Sequence, residues 1–143
     1  MMDRLKVAVV GAGAIGAFYG TMLEKAGVDV SFVARGATLA AIRRDGLRIT
    51  GKRTRTIHPL VTDDPAQIGV VDAVLVCTKT FQVAPALEDY SSSLIGPDTV
   101  VVTTQNGVAT PQVVADIVGR RRTCPGVCRE WVKICLLYTS LSG

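Results

Sequence analysis

The apolar run Leu5–Val10 passes directly into Gly11-Ala12-Gly13-Ala14-Ile15-Gly16, and a helix-forming stretch follows. Three glycines at that spacing, between a strand and a helix, commit the chain to a tight turn that sets a helix N-terminus over a strand end. Gly11 allows the turn, Gly13 lets the backbone approach a ligand, and Gly16 lets helix and strand pack closely. Free amides at such a helix start, with the macrodipole behind them, favour negative charge. Gly11, Ala12, Gly13, Ala14, Ile15 and Gly16 are therefore the candidate cradle for a dinucleotide diphosphate. Glycine turns are common, so the pattern alone is weak; the strand before it and the helix after it give it weight.

The same segment has a competing reading. Val7 to Leu23 carries no charge, and Arg4 and Lys6 precede it, as in a secretory signal or a short membrane span. Gly11, Gly13, Gly16 and Gly20 interrupt the run, whereas a segment entering lipid is expected to be continuous Leu, Val and Ile. A parallel strand buried on both faces, followed by a helix packed on the sheet, accounts better for the apolar character. No membrane association is expected.

At 143 residues the chain is long enough for one domain with a real core. Its net charge of +4 is unevenly placed. Residues 1–119 hold eleven Lys/Arg and eleven Asp/Glu, so the excess lies wholly in residues 120–143. The body of the chain gives no electrostatic case for nucleic acid. Cys77, Cys124, Cys128 and Cys135, with His58, make a poor metal set, because Cys124 and Cys128 have no matching second pair. A disulfide framework is no better supported. Reduced thiols in the cytoplasm are the expectation, with no metal.

Strand-like and helix-like stretches then alternate. A helix over Ala14–Ala26 ends at Gly27, and Val28–Val33 reads as a second strand. Thr38–Asp45 reads as a short helix closed by Gly46, and Leu47–Pro59 as a hairpin around Gly51-Lys52. Asp72–Cys77 is a buried strand, and Phe81–Leu94 a helix broken or kinked near Pro85. Thr99–Thr104 is a strand after the Gly96-Pro97-Asp98 turn, and Pro111–Val118 a helix with Pro tolerated early. Arg120-Arg121-Arg122 reads as a solvated turn, and Gly126–Ile134 as a last strand. The alternation predicts an α/β fold: a doubly wound, mostly parallel sheet with helices on both faces. Ligands of such sheets bind beyond the carboxyl ends of the strands.

Those ends carry the remaining candidates. NAD-binding sheets place an acid at the end of the second strand, where it accepts from the ribose 2′-OH. Here the order is Val33-Ala34-Arg35-Gly36, with no acid. An arginine cannot accept from a hydroxyl, but its fork matches a 2′-phosphate, which points to NADP(H). The bland alternative is a solvated surface arginine. Arg43 and Arg44 read as a solvated helix face. Lys79 follows a buried strand at the ligand edge, where it is either an ordinary loop lysine or a cation for a ribose hydroxyl or a carboxylate. Asn106, in Gln105-Asn106-Gly107, is either a turn residue or an amide facing cofactor and substrate together.

Taken together, GAGAIG with Arg35, then Val76-Cys77-Thr78-Lys79, then Gln105-Asn106-Gly107-Val108, resembles the N-terminal half of the ketopantoate reductase (2-dehydropantoate 2-reductase) family over roughly residues 5–134. The resemblance implies a Rossmann-like domain over residues 1–134 and NADPH-dependent reduction of a small 2-keto acid in pantothenate synthesis. It implies that residues 11–16 cradle the diphosphate and that Arg35 takes the 2′-phosphate. Lys79 and Asn106 would contact the cofactor near the substrate.

Family members run to about twice this length, with a helical second domain holding the lysine that protonates the new alkoxide. The chain is therefore expected to be truncated, to hold no catalytic residue of its own, to bind NADPH weakly and to be feeble or inactive alone. Residues 135–143 do not continue the pattern; they resemble translated sequencing-adaptor read-through and are read as a non-native tail. Two other readings stay open. One is the cofactor domain of another NADP-dependent hydroxy-acid dehydrogenase. The other is a dinucleotide-sensing module that catalyses nothing, which would have no evident need for Lys79 and Asn106.

Overall fold

A computed structural model describes residues 4–51, 54–105 and 109–126. Its central strand, β1 (Lys6–Val10), is buried from Val7 onward because it is paired on both sides. α1 (Ala14–Lys25) leads to β2 (Asp29–Val33), and α2 (Gly36–Asp45) to a short antiparallel pair, β3 (Leu47–Ile49) and β4 (Arg55–Ile57). β5 (Leu60–Thr62) and β6 (Ala73–Val76) precede α3 (Thr80–Leu94). β7 (Val100–Thr103), α4 (Ala109–Val118) and the two-residue β8 (Thr123–Cys124) complete the described order.

Among the described residues the six strands of the main sheet lie in the order β5-β2-β1-β6-β7-β8, all parallel. The winding reverses between β1 and β6. There the loops leave the sheet in opposite directions and open a crevice at the carboxyl ends. The fold is thus the Rossmann-like, doubly wound α/β class expected from the alternation.

Each face has its own apolar cluster. α3 turns Val83, Leu87, Tyr90 and Leu94 onto Ala8, Val10, Val74, Val76 and Val101, and α4 adds Val114 and Val118. That spacing of three and four is one helical stripe. The other face packs Val7, Val9, Val30 and Phe32 under Leu39 and Ile42 of α2 and under the β3–β4 pair. A 2.7 Å ion pair from Arg55 to Glu24 fastens β4 to α1. On the opposite face, the buried Thr99 hydroxyl donates to the Val71 carbonyl at 2.6 Å and accepts from Gly96 N at 2.9 Å, closing the turn between α3 and β7.

Several expectations need correction. Of the break or kink expected near Pro85, the break does not occur: α3 is one continuous helix through it. Pro85 is exposed, and the carbonyl it leaves without a helical donor belongs to Phe81, itself 74% exposed, so water can replace the lost bond. α2 begins at Gly36, two residues before the expected Thr38, and α4 at Ala109 instead of Pro111. β5 had no counterpart in the sequence reading, since three residues are too few to show a period. A two-residue strand at Thr123–Cys124, which the sequence reading did not include, follows a 3-10 turn over Arg120–Arg122; the expected strand Gly126–Ile134 lies, but for Gly126, outside the described residues. Residues 127–143, and with them Cys128, Cys135 and the proposed tail, lie outside the described residues.

A Cβ at Gly20 would sit 2.2 Å from Cζ of Phe32, whose ring is fully buried. Gly20→Ala is expected to destabilise the domain by about 1–3 kcal/mol through overpacking, although alanine is the better helix former by about 1 kcal/mol. Urea unfolding measures the balance. An unchanged or raised midpoint would show that Phe32 can retreat.

Candidate functional site

Main-chain contacts gather the strand ends into one edge. Gly11 has φ +98°, which an L side chain rarely adopts, and its N–H donates to the Val33 carbonyl at 3.1 Å. That bond ties the glycine turn to the end of β2, two residues before Arg35. A Cβ on Gly11 would lie 3.0 Å from the Cys77 carbonyl carbon and Thr78 N, so the turn also rests against the loop leaving β6. Cys77 N continues the ladder to the Val10 carbonyl at 2.8 Å.

Gly16 and Gly13 differ in what they require. A Cβ on Gly16 would fall 2.1 Å from the Gly11 carbonyl oxygen, an impossible distance, so only glycine lets the first turn of α1 lie on the loop. Around Gly13 there is open space: among the described residues nothing lies within 4 Å of such a Cβ. The fold itself does not demand glycine there, which leaves close approach by a ligand as the reason for it. Gly13 is the N-cap of α1, and no side chain caps the helix. The first bond of the helix runs from Ala17 N to the Gly13 carbonyl at 2.9 Å. The amides of Ala14, Ile15 and Gly16 precede it and are the orphan donors of a helix start. Thr78 Oγ1, beside this turn, is buried with no hydrogen-bond partner among the described residues. Open backbone, uncapped amides and an orphaned hydroxyl together fit a dinucleotide diphosphate.

Arg35 stands in extended backbone (φ −136°, ψ 161°) as N-cap of α2. Its side chain is about two-thirds exposed, yet the guanidinium is not free: Nη2 donates to the hydroxyl of Tyr90 on α3, and Asp89 Oδ2 lies 3.9 Å away. Arg43 and Arg44 are engaged elsewhere. Arg43 Nε reaches the Val61 carbonyl at 3.3 Å, and Arg44 pairs with its neighbour Asp45 at 2.9 Å. That exposed bond raises the Arg44 pKa and lowers that of Asp45.

Lys79 is the exposed N-cap of α3, and its N–H is received by Gln82 Oε1 at 3.3 Å. Asn106, with Gly107 and Val108, lies outside the described residues. Gln105, singled out in the sequence only as part of a motif, has a structural task. Its Nε2 donates to the Val76 carbonyl at 3.0 Å and the Thr78 carbonyl at 2.6 Å, stapling the loop after β7 to the loop that presents Lys79. Tyr90 and Asp89 were missed as site residues altogether. Tyr90 falls on the apolar stripe of α3, and nothing local connects it to Arg35.

Among the described residues, no three His, Cys, Asp or Glu side chains are grouped to hold a metal ion. No helix among them is long and apolar enough to cross a membrane.

The family model for ketopantoate reductase PanE/ApbA matches residues 7–133. A 2-dehydropantoate 2-reductase of Mesorhizobium japonicum is 41% identical over 106 residues, covering 73% of this chain and 32% of its own. The crystal structure of 2-dehydropantoate 2-reductase from Porphyromonas gingivalis W83 superposes with a TM-score of 0.78 at 34% identity, covering 87% of this chain and 46% of its own. D-mandelate dehydrogenase, solved with NADH and anilino(oxo)acetate, gives a TM-score of 0.76 at 26% identity, with 86% and 40% covered. The chain thus spans between a third and a half of the length of these proteins. The family model spans most of this chain, and the chain belongs to the ketopantoate reductase family.

Proposed function

We propose that this chain is the coenzyme-binding part of an oxidoreductase that reduces 2-dehydropantoate to pantoate with NADPH. The observation that carries the coenzyme assignment is Arg35: a cation, with no acid, at the end of β2 beside the glycine turn. In this reading the amides of Ala14, Ile15 and Gly16 hold the diphosphate, with Gly11, Ala12 and Gly13 giving it backbone access. Arg35 takes the 2′-phosphate through its guanidinium fork. When bound, NADPH supplies a hydride to the keto carbon.

The residues at the edge do the rest. Lys79 presents a cation where a keto acid carries its carboxylate and where negative charge grows on the carbonyl oxygen. Gln105 ties the end of β7 to the loop that presents Lys79, and in this reading Asn106 contributes an amide to coenzyme and substrate. A proton donor for the new alkoxide is a separate requirement, and Lys79 alone does not meet it.

A second reading has one observation in its favour. D-mandelate dehydrogenase, so similar over this span, was solved with NADH, so the parent activity could be NADH-linked reduction of a different 2-keto acid.

Calorimetric titration separates the coenzymes. Arg35→Ala is expected to weaken NADPH binding roughly ten- to a hundredfold, the loss of a charge-assisted contact of ~1.5–3 kcal/mol, with NADH little changed. Equal affinities for both coenzymes in both proteins would overturn the assignment. For the substrate, Lys79→Ala in a longer family protein carrying this segment should lower kcat/KM for ketopantoate by at least about tenfold, a loss of ~1.4 kcal/mol or more. Faster turnover of an aryl 2-keto acid than of ketopantoate by the unsubstituted protein would favour the second reading.

A further inference from the structure

Arg35 and Tyr90 are 55 residues apart in sequence, and the fold sets them in contact. Arg35 Nη2 donates to the phenolic oxygen, and the guanidinium carbon lies 5.6 Å from the ring centroid, within cation–π range. The partner is a fixed one. Tyr90 is only 7% exposed and belongs to the apolar stripe that holds α3 on the sheet. Asp89, the preceding residue, points a carboxylate at the same nitrogen from 3.9 Å, and its side chain is 65% exposed.

Both contacts use Nη2. Nε and Nη1 have no partner among the described residues. Each two-donor edge of the planar fork pairs one of them with Nη2, so the Nη2 N–H not given to Tyr90 completes an edge that a phosphate can engage with two parallel hydrogen bonds. A long flexible side chain anchored on a buried ring has less freedom left to lose when a ligand arrives. Asp89 acts in the opposite sense, since its charge repels a phosphate brought to Arg35 and competes for the same cation.

We propose that Tyr90 is a positioning residue for coenzyme selectivity. It holds Arg35 by one N–H of Nη2 so that the edge left open meets the 2′-phosphate, while Asp89 beside it tempers the preference. This rests on the NADPH reading above and adds to it two residues of α3 that do not touch the coenzyme's reactive end.

The test measures NADPH and NADH dissociation constants by calorimetry on the 143-residue chain. The proteins compared are the unsubstituted chain, Tyr90→Phe, Asp89→Asn, Arg35→Ala, and Tyr90→Phe with Arg35→Ala. Tyr90→Phe keeps the buried ring and removes only the acceptor. It should weaken NADPH about five- to tenfold while NADH moves less than about twofold, and it should have no effect once Arg35 is alanine. Asp89→Asn, on the surface, should tighten NADPH about two- to fourfold at low salt, a gain that shrinks as salt rises.

Equal weakening of both coenzymes by Tyr90→Phe, or the same loss without Arg35, would reduce Tyr90 to packing and overturn the proposal. So would unchanged NADPH affinity in both Tyr90→Phe and Asp89→Asn. The NADPH reading itself fails by a different result: no coenzyme preference in the unsubstituted chain and no loss with Arg35→Ala.

Discussion

Everything at the carboxyl edge depends on how closely the first turn of α1 lies on the ends of β1 and β6. At Gly16 the Gly11 carbonyl oxygen occupies the place of a side chain, and at Gly11 the backbone of Cys77 and Thr78 is at the limit of contact. Any larger residue would lift the helix away from the sheet. The orphan amides would then swing out of the crevice, and the glycine turn would lose its seat against the Lys79 loop. The apolar clusters hold the sheet together, but they do not aim anything. Aim comes from two positions that exclude a side chain, Gly16 by contact and Gly11 by its positive φ.

α3 serves two ends of one ligand. Its N-terminus begins at Lys79, held by Gln82 and by the Gln105 staple on the preceding loop. Its third turn carries Asp89 and Tyr90 to the end of β2, where Arg35 waits. The same helix buries Val83, Leu87 and Leu94, so the energy that fixes its axis comes from the core, not from the site. Both polar ends inherit a rigid frame without spending interactions of their own on it.

The architecture was legible wherever a local pattern carried it. A strand, a glycine turn and a helix in succession announce β1 and α1, and the Val-rich runs of β6 and β7 announce buried parallel strands. β5 was not legible. Its Leu60–Thr62 segment is recruited by pairing with β2, a tertiary event that leaves no periodic mark. The proline in α3 left a break or a kink open for a related reason: local chemistry weakens the helix there, but the packed stripe on either side of Pro85 outweighs one missing hydrogen bond and excludes the break. At the site, the glycines, Arg35 and Lys79 could be singled out because position relative to a strand end is readable from sequence. The contact of Arg35 with Tyr90 could not be, since it depends on where α3 crosses the sheet. The Gln105 staple was hidden likewise, for its acceptors are main-chain carbonyls that any residue would provide.

The central position of β1 also bears on how the chain acquires its shape. Lys6 N finds the Asp72 carboxylate 66 residues further on, at the start of the strand that completes the pairing of β1. At ribosomal speeds of roughly 5–20 residues per second, the first strand waits about 3–13 s before its second neighbour emerges. Throughout that interval a very apolar segment has one open ladder edge. A nascent polypeptide of this topology is thus most exposed to misassembly before β6 leaves the exit tunnel, and it is there that a chaperone holding the N-terminal segment would have most effect.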